Sequence, residues 1–318
     1  MAKLFKVKVN EFSLGMGPKL WGKQKGDTLY ALRLFPIGGY VAMEGEDEES
    51  EDENSLCNKN PWQRLGIVVA GAVMNLLLGY IIMLVLTIMS GRVGTTVIAK
   101  FDENAVSSQY LMQNDKIVSV NGSKVRTPND ITFEFLRSKD GIIDMEVIRD
   151  GEKVKIPGIQ FEMDDLGDGI KAIHLDFKIY GEKLTFTNTI TYSFNWAVTI
   201  AKQVWVSLGD LITGRFGFNQ LSGPIGVADA IGKASSMGID QLLLMVAFIT
   251  INLGVFNLLP IPALDGGRIV FIILEIIMGK PVPAKYEGFV HAAGMVLLLG
   301  LMVFVTFNDI VKIFKGVF

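Results

Sequence analysis

The chain has 318 residues, of which 50% are hydrophobic and 20% charged, with a mean hydropathy of +0.38. These values exclude a disordered chain, which needs low hydrophobicity and high charge, and leave too little polar surface to coat an ordinary soluble particle. A net charge of −3 gives nucleic acid no electrostatic footing, the single cysteine Cys57 excludes an intrachain disulfide framework, and two histidines cannot build a three-histidine metal site.

Residues 1–9 carry lysines but lack the apolar segment of a signal peptide. Segments 12–17 and 30–43 read as strands joined by a polar loop through 23–27, and Pro36 with the Gly38-Gly39 pair bends the second. The acidic run EGEDEESEDE, 44–53, reads as a solvated loop. Residues 65–89 contain no charge and exceed the roughly 20 residues that a helix needs to cross a bilayer.

Strand signals and turns alternate from 94 to 175. Asn121-Gly122 and Asp150-Gly151 are hairpin pairs, and 129–137 reads as a short helix. This predicts a small α+β module. Residues 187–214 place Tyr192, Trp196, Ile200 and Val204 at helical spacing, as in an amphipathic helix lying at the membrane interface. A second apolar run, 242–264, is broken by Pro260 and Pro262 and meets Asp265; a helical stretch resumes at Gly267 and carries Glu275. A third run, 290–307, is ended by Asn308 and Asp309. His174 is read into the module's last strand and His291 as an interfacial residue opening the final span. The many lysines and arginines before the first span put the N-terminal region in the cytoplasm and the module on the opposite side.

The segment NLLPIPALDGGR, 257–268, is chemically the most pointed. An ionised Asp in the middle of a membrane helix costs about 2.5–3.5 kcal/mol on insertion scales, so Asp265 needs compensation. A bound cation would provide it, since Asp is a zinc ligand alongside histidines. A helix-capping carboxylate would account for it equally. The residues alone leave both readings open.

Several segments in order resemble the site-two protease family, the intramembrane zinc metalloproteases, and more narrowly its bacterial branch that cleaves anti-sigma factors. FSLGMGPKLW with LRLFPIGGYVAMEGE resembles the family's membrane-reentrant β-hairpin. AGAVMNLLLG (70–79) resembles its AGPxxN span, with Ala72 where Pro is usual. Residues 94–175 resemble its PDZ module, and LSGPIG with NLLPIPALDGGR its C-terminal signature. The resemblance implies a polytopic α-helical membrane protein with about three spans, a membrane-associated β-hairpin region and one inserted α+β PDZ-like domain. The regions are 1–64, 65–91, 92–178, 179–240 and 241–318. It implies Asp265 as a zinc ligand, Asn257 and Asn75 beside the substrate, and Gly38 and Gly39 in a hairpin that takes substrate as an added strand. The implied cofactor is Zn2+. The implied partners are membrane-spanning proteins such as anti-sigma factors and the lipid bilayer, with no nucleic acid. The implied place is the bacterial inner membrane, multi-pass, with the active-site side cytoplasmic and the PDZ-like domain extracytoplasmic.

The family's H-E-x-x-H, which supplies two zinc ligands and the general-base Glu, does not occur in these 318 residues. The expectation is that this helix, and the first span with it, is missing from the sequence, and that the chain alone is inactive. A non-catalytic adaptor that binds extracytoplasmic peptides through the module is the alternative. A transporter fragment is a weaker rival, because no inverted repeat is visible.

Overall fold

The computed structural model describes residues 1–46, 50–165, 171–214 and 221–314. Parts of the acidic run and of the 92–178 and 179–240 regions therefore lie outside the described residues. In chain order the elements begin with strands β1 (Val9–Lys25) and β2 (Thr28–Met43), then helix α1 (Pro61–Ser90). Next come β3 (Arg92–Phe101), β4 (Lys116–Val120), β5 (Ser123–Lys124), helix α2 (Pro128–Arg137), β6 (Ile142–Arg149), β7 (Glu152–Gln160), β8 (Met163–Asp165), β9 (Lys171–Ile173) and β10 (Phe177–Lys183). Helices α3 (Phe186–Ile212), α4 (Pro224–Met237), α5 (Ile239–Asn257), α6 (Asp265–Met278) and α7 (Ala284–Phe314) follow. Among the described residues α1, α5 and residues 285–314 of α7 are long and apolar enough to cross a membrane, with mean hydropathies of 2.4, 1.9 and 2.3. The chain divides into two compact units, Met1–Asn75 with Leu253–Phe304 and Leu76–Asn252 with Val305–Phe318.

In the first unit, β1 and β2 are longer than the sequence predicts and fold back on each other. Residues 11–14 pair on one side with 39–42 and on the other with 29–32, which in turn pair with 21–24. Two chain segments thus make four runs of sheet. Val9, Ser13 and Gly15 are buried between exposed Asn10, Phe12, Leu14 and Met16, the alternation of a pleated strand. Of these exposed positions Phe12, Leu14 and Met16 are apolar, with Leu20, Trp21, Leu34 and Phe35 adding to them. Helix α1 starts at Pro61, whose missing N–H is no loss at the first helical position. Asn60 Oδ1 accepts the Trp62 N–H at 2.9 Å there. Three residues of the acidic run are engaged: Glu46 pairs with Arg268 at 2.9 Å, Asp52 with Lys8 at 3.3 Å, and Glu44 accepts from Asn10 at 2.9 Å.

In the second unit, the strands form a six-stranded sheet in the order β10-β3-β4-β6-β7, with β5 on β4. Asn121 and Gly122 have φ of 48° and 76°, and Asp150 and Gly151 have 51° and 88°, so both predicted pairs make tight hairpin turns with two left-handed residues. Ile98, Ile117, Val147, Ile159, Phe161 and Phe177 lie in the sheet's core, and Ile131 and Phe135 of α2 pack into it. His174 follows β9 rather than standing in the last strand, which is β10.

Polar links tie α2 to α3. Arg137 makes a two-pronged bond to Asp210 at 2.7 and 2.9 Å, and Asp130 accepts from the Thr199 hydroxyl at 3.1 Å. Residues 186–212 are thus helical as the pattern predicts, with a polar stripe engaged by the module. The Ser193 and Thr87 hydroxyls, both buried, meet at 2.9 Å between α3 and α1. Gly79 of α1 lets α5 approach so closely that a Cβ would collide with Ile251. Asn308 and Asp309 do not end α7, because the helix runs on to Phe314.

Candidate active site

The second apolar run stops being helical at Asn257, before its prolines. Residues 258–264 form a series of turns, with Ile261 N–H donating to the Leu259 carbonyl at 2.7 Å and Leu264 N–H to that of Ile261 at 3.2 Å. Ala263 takes a left-handed φ of 73°, a conformation that non-glycine residues rarely adopt. The chain then enters α6. The two glycines of LDGG are there for close approach: a Cβ on Gly266 would run into the Leu259 carbonyl, and one on Gly267 would lie 2.8 Å from the Ile261 oxygen.

Asp265 is the first residue of α6, half-buried. The N-cap position belongs to Leu264, and no side chain makes a capping bond there. The Asp265 carboxylate makes no hydrogen bond among the described residues, so the capping alternative finds no bond in this geometry. It faces α1 at Gly71, where a Cβ would stand 3.8 Å from Asp265 Oδ2. Asn75 lies four residues further along α1, hence on the same face.

Asn257 is the last residue of α5, half-buried. Gly38 and Gly39 sit in β2, Gly38 with a φ of 73° and Gly39 with the Ser13 carbonyl 2.6 Å from where its Cβ would be. The described contacts bring Asp265 to the α1 face that carries Asn75. They do not bring Asn257, Gly38 or Gly39 to it.

Three features escape the sequence reading. His291, far along the chain, accepts the Ala263 N–H on Nδ1 at 3.0 Å. Arg64 of α1 pairs with Glu275 of α6. Together with Arg268, Glu46 and Glu287 these residues line a cavity of about 940 Å³ in the first unit. The one sequence signal was the presence of Arg268 and Glu275 inside an apolar stretch, where charges are expected to be paired.

Zinc asks for three protein donors and an open position in a catalytic site. Asp265 suits one of them, as an anionic oxygen not taken up by hydrogen bonds. Among the described residues no three His, Cys, Asp or Glu side chains converge on one point, and the chain contains no H-E-x-x-H. These residues fit a single ligand of a zinc site and do not make up a set.

Comparison with known proteins gives the relatives. A protein of Clostridium perfringens, named provisionally as a zinc metalloprotease, is 36% identical over 312 residues, covering 98% of this chain and 92% of that protein. A Fusobacterium nucleatum protein with the same provisional name is 33% identical over 325 residues, covering 99% and 93%. The regulator of sigma-W protease RasP of Bacillus subtilis is 28% identical over 387 residues, covering 96% and 91%. The model of peptidase family M50 matches residues 1–301. That match takes in the folded-back hairpin, α1 with Gly71 and Asn75, and the turn that presents Asp265, so the chain belongs to peptidase family M50, the site-two proteases.

Proposed function

We propose that this chain is an intramembrane zinc metalloendopeptidase component in which Asp265 is one metal ligand. The observation that carries the reading is the Asp265 carboxylate itself: it opens α6 after a proline-broken turn, makes no capping bond and faces Gly71. A capping role would be visible as a bond to a backbone N–H. Zinc, when bound, would polarise the scissile carbonyl and supply a hydroxide nucleophile. The other ligands and the general base are not among these residues, so no catalytic step is assigned to them.

The substrates are membrane-spanning proteins, anti-sigma factors among them, in keeping with the sigma-W name of the Bacillus relative. A helix must be extended before its peptide bond is attacked, and residues 39–42 offer an edge paired on one side only among the described residues. Strand addition there, beside Gly38 and Gly39, would supply that extension. Asn75 and Asn257 would hydrogen-bond the extended segment. The 92–178 region would act as a PDZ-like filter outside the cytoplasm, with the lysine-rich N-terminal region in the cytoplasm and the whole in the bacterial cell membrane.

The test compares the purified 318-residue chain with the same chain preceded by an H-E-x-x-H helix. The chain alone should neither retain zinc nor cleave a membrane-spanning substrate, and the extended one should do both. In the extended chain Asp265→Asn should lower activity by at least about 100-fold and release the metal, because the amide lacks the anionic oxygen that zinc needs. An Asp265→Asn protein with full zinc and full activity would overturn the ligand assignment. Peptide capture by an extended chain that binds no zinc would favour an adaptor.

A further inference from the structure

We propose that His291 is a positioning residue for Asp265, acting through the backbone of Ala263. This rests on the reading of Asp265 as a ligand for its consequence, but not for its geometry. The turn before α6 depends on Ala263 at a φ of 73°. A side chain with a Cβ leaves that region unless something holds it there. What holds it is the imidazole of His291: its Nδ1 lies 3.0 Å from the Ala263 nitrogen and accepts its proton.

The ring is itself fixed. Its Cε1 would stand 3.3 Å from a Cβ on Gly267, so the ring packs tightly against the start of α6. Phe271 packs against it at 5.8 Å between ring centres. One helical turn further along α7, Gly294 takes Pro262 so closely that a Cβ there would collide with the proline. His291 and Gly294 thus seat the turn on α7, one by a hydrogen bond and one by contact. Two residues after Ala263 the chain delivers Asp265.

An accepting Nδ1 fixes the tautomer, because a neutral imidazole carries its proton on the other nitrogen. That Nε2 is buried with no hydrogen-bond partner among the described residues, and Glu287 Oε1 is 4.0 Å away. That is too far for a hydrogen bond, but a carboxylate on this side of the ring favours a proton on Nε2 over one on Nδ1. A histidine kept only for packing would have no such preference.

The chain has two histidines, so 15N-histidine labelling of the full chain in detergent micelles gives two imidazoles, and a His174→Asn sample leaves His291 alone. The expected spectrum is that of an Nε2–H imidazole with an unprotonated Nδ1; an Nδ1–H imidazole would overturn the proposal. Single-residue amide exchange supplies the second readout. His291→Ala and His291→Gln should speed exchange at Ala263, Leu264 and Gly267 by about tenfold, the effect of losing one hydrogen bond. His291→Asn, whose Oδ1 takes the place of Nδ1 as an acceptor, should restore most of the protection. Equal exchange in all three variants would refute a role for Nδ1. Neither measurement involves zinc, so failure here is distinct from failure of Asp265 as a ligand, which the Asp265→Asn comparison reads.

Discussion

Asp309 is fully buried in α7, and its two oxygens accept the Gly223 N–H at 3.1 Å and the Gly226 N–H at 2.9 Å. Those amides open α4 and have no partner within the helix. A side chain from elsewhere in the fold thus caps the helix, and Gly223 leaves room for it, since a Cβ would lie 2.8 Å from Asp309 Oδ2. Asp309→Ala would strand both donors and should lower stability by about 2–3 kcal/mol, read as a thermal shift in detergent. Asp309→Asn keeps one accepting oxygen and should lose less. His174 behaves differently because it is exposed. The Asp164 carboxylate, 2.9 Å from Nδ1, raises its pKa above the usual histidine value. The pair is therefore formed below the ordinary histidine pKa and is lost as pH rises through the raised folded value. An NMR titration should place His174 above the usual histidine value, and Asp164→Asn, which removes the largest cause, should lower the midpoint; an unchanged midpoint in that variant would refute the pairing.

Among the elements, β10 decides where the module ends. It lies at one edge of the sheet, and residues 177–183 pair with 92–101 of β3. Phe177 is 2% exposed and meets Phe135 of α2 edge-on at 6.4 Å. A fragment of residues 92–183 should give a dispersed amide spectrum. One that stops at 175 lacks this strand, and loss of a buried phenylalanine alone removes about 3–5 kcal/mol, a large part of the stability of a small domain. It should be largely unfolded. A folded 92–175 fragment would mean that β10 belongs to the helices that follow it rather than to the sheet.

Across the whole molecule, what the sequence made legible was local. The three apolar runs, the two Asn-Gly and Asp-Gly turns and the short helix ending at Arg137 each follow from residues close in the chain. Asp265 stood out for the same reason, as a carboxylate in an apolar run. Pairings between distant segments left no such mark. The fold-back of β1 and β2 depends on residues 11–14 having two neighbours, and a single alternating pattern does not say which strands flank it. Asn308-Asp309 read as a stop because polar residues usually leave the membrane, whereas Asp309 is polar for the sake of α4. His291 looked like a residue at a helix entrance because its partner is a backbone amide, which has no letter in the sequence.

The Arg64–Glu275 pair joins residues 211 positions apart. At synthesis rates of about 5–20 residues per second, Glu275 emerges roughly 10–40 s after Arg64. For that interval α1 has to be accommodated with its guanidinium unmatched. Arg64 is the fourth residue of α1, near enough to the helix end for its long side chain to reach the headgroups while it waits. The same arginine several turns deeper would have to be inserted into hydrocarbon as a bare charge. The position of Arg64 therefore suits the order in which the ribosome delivers the chain as well as the finished fold.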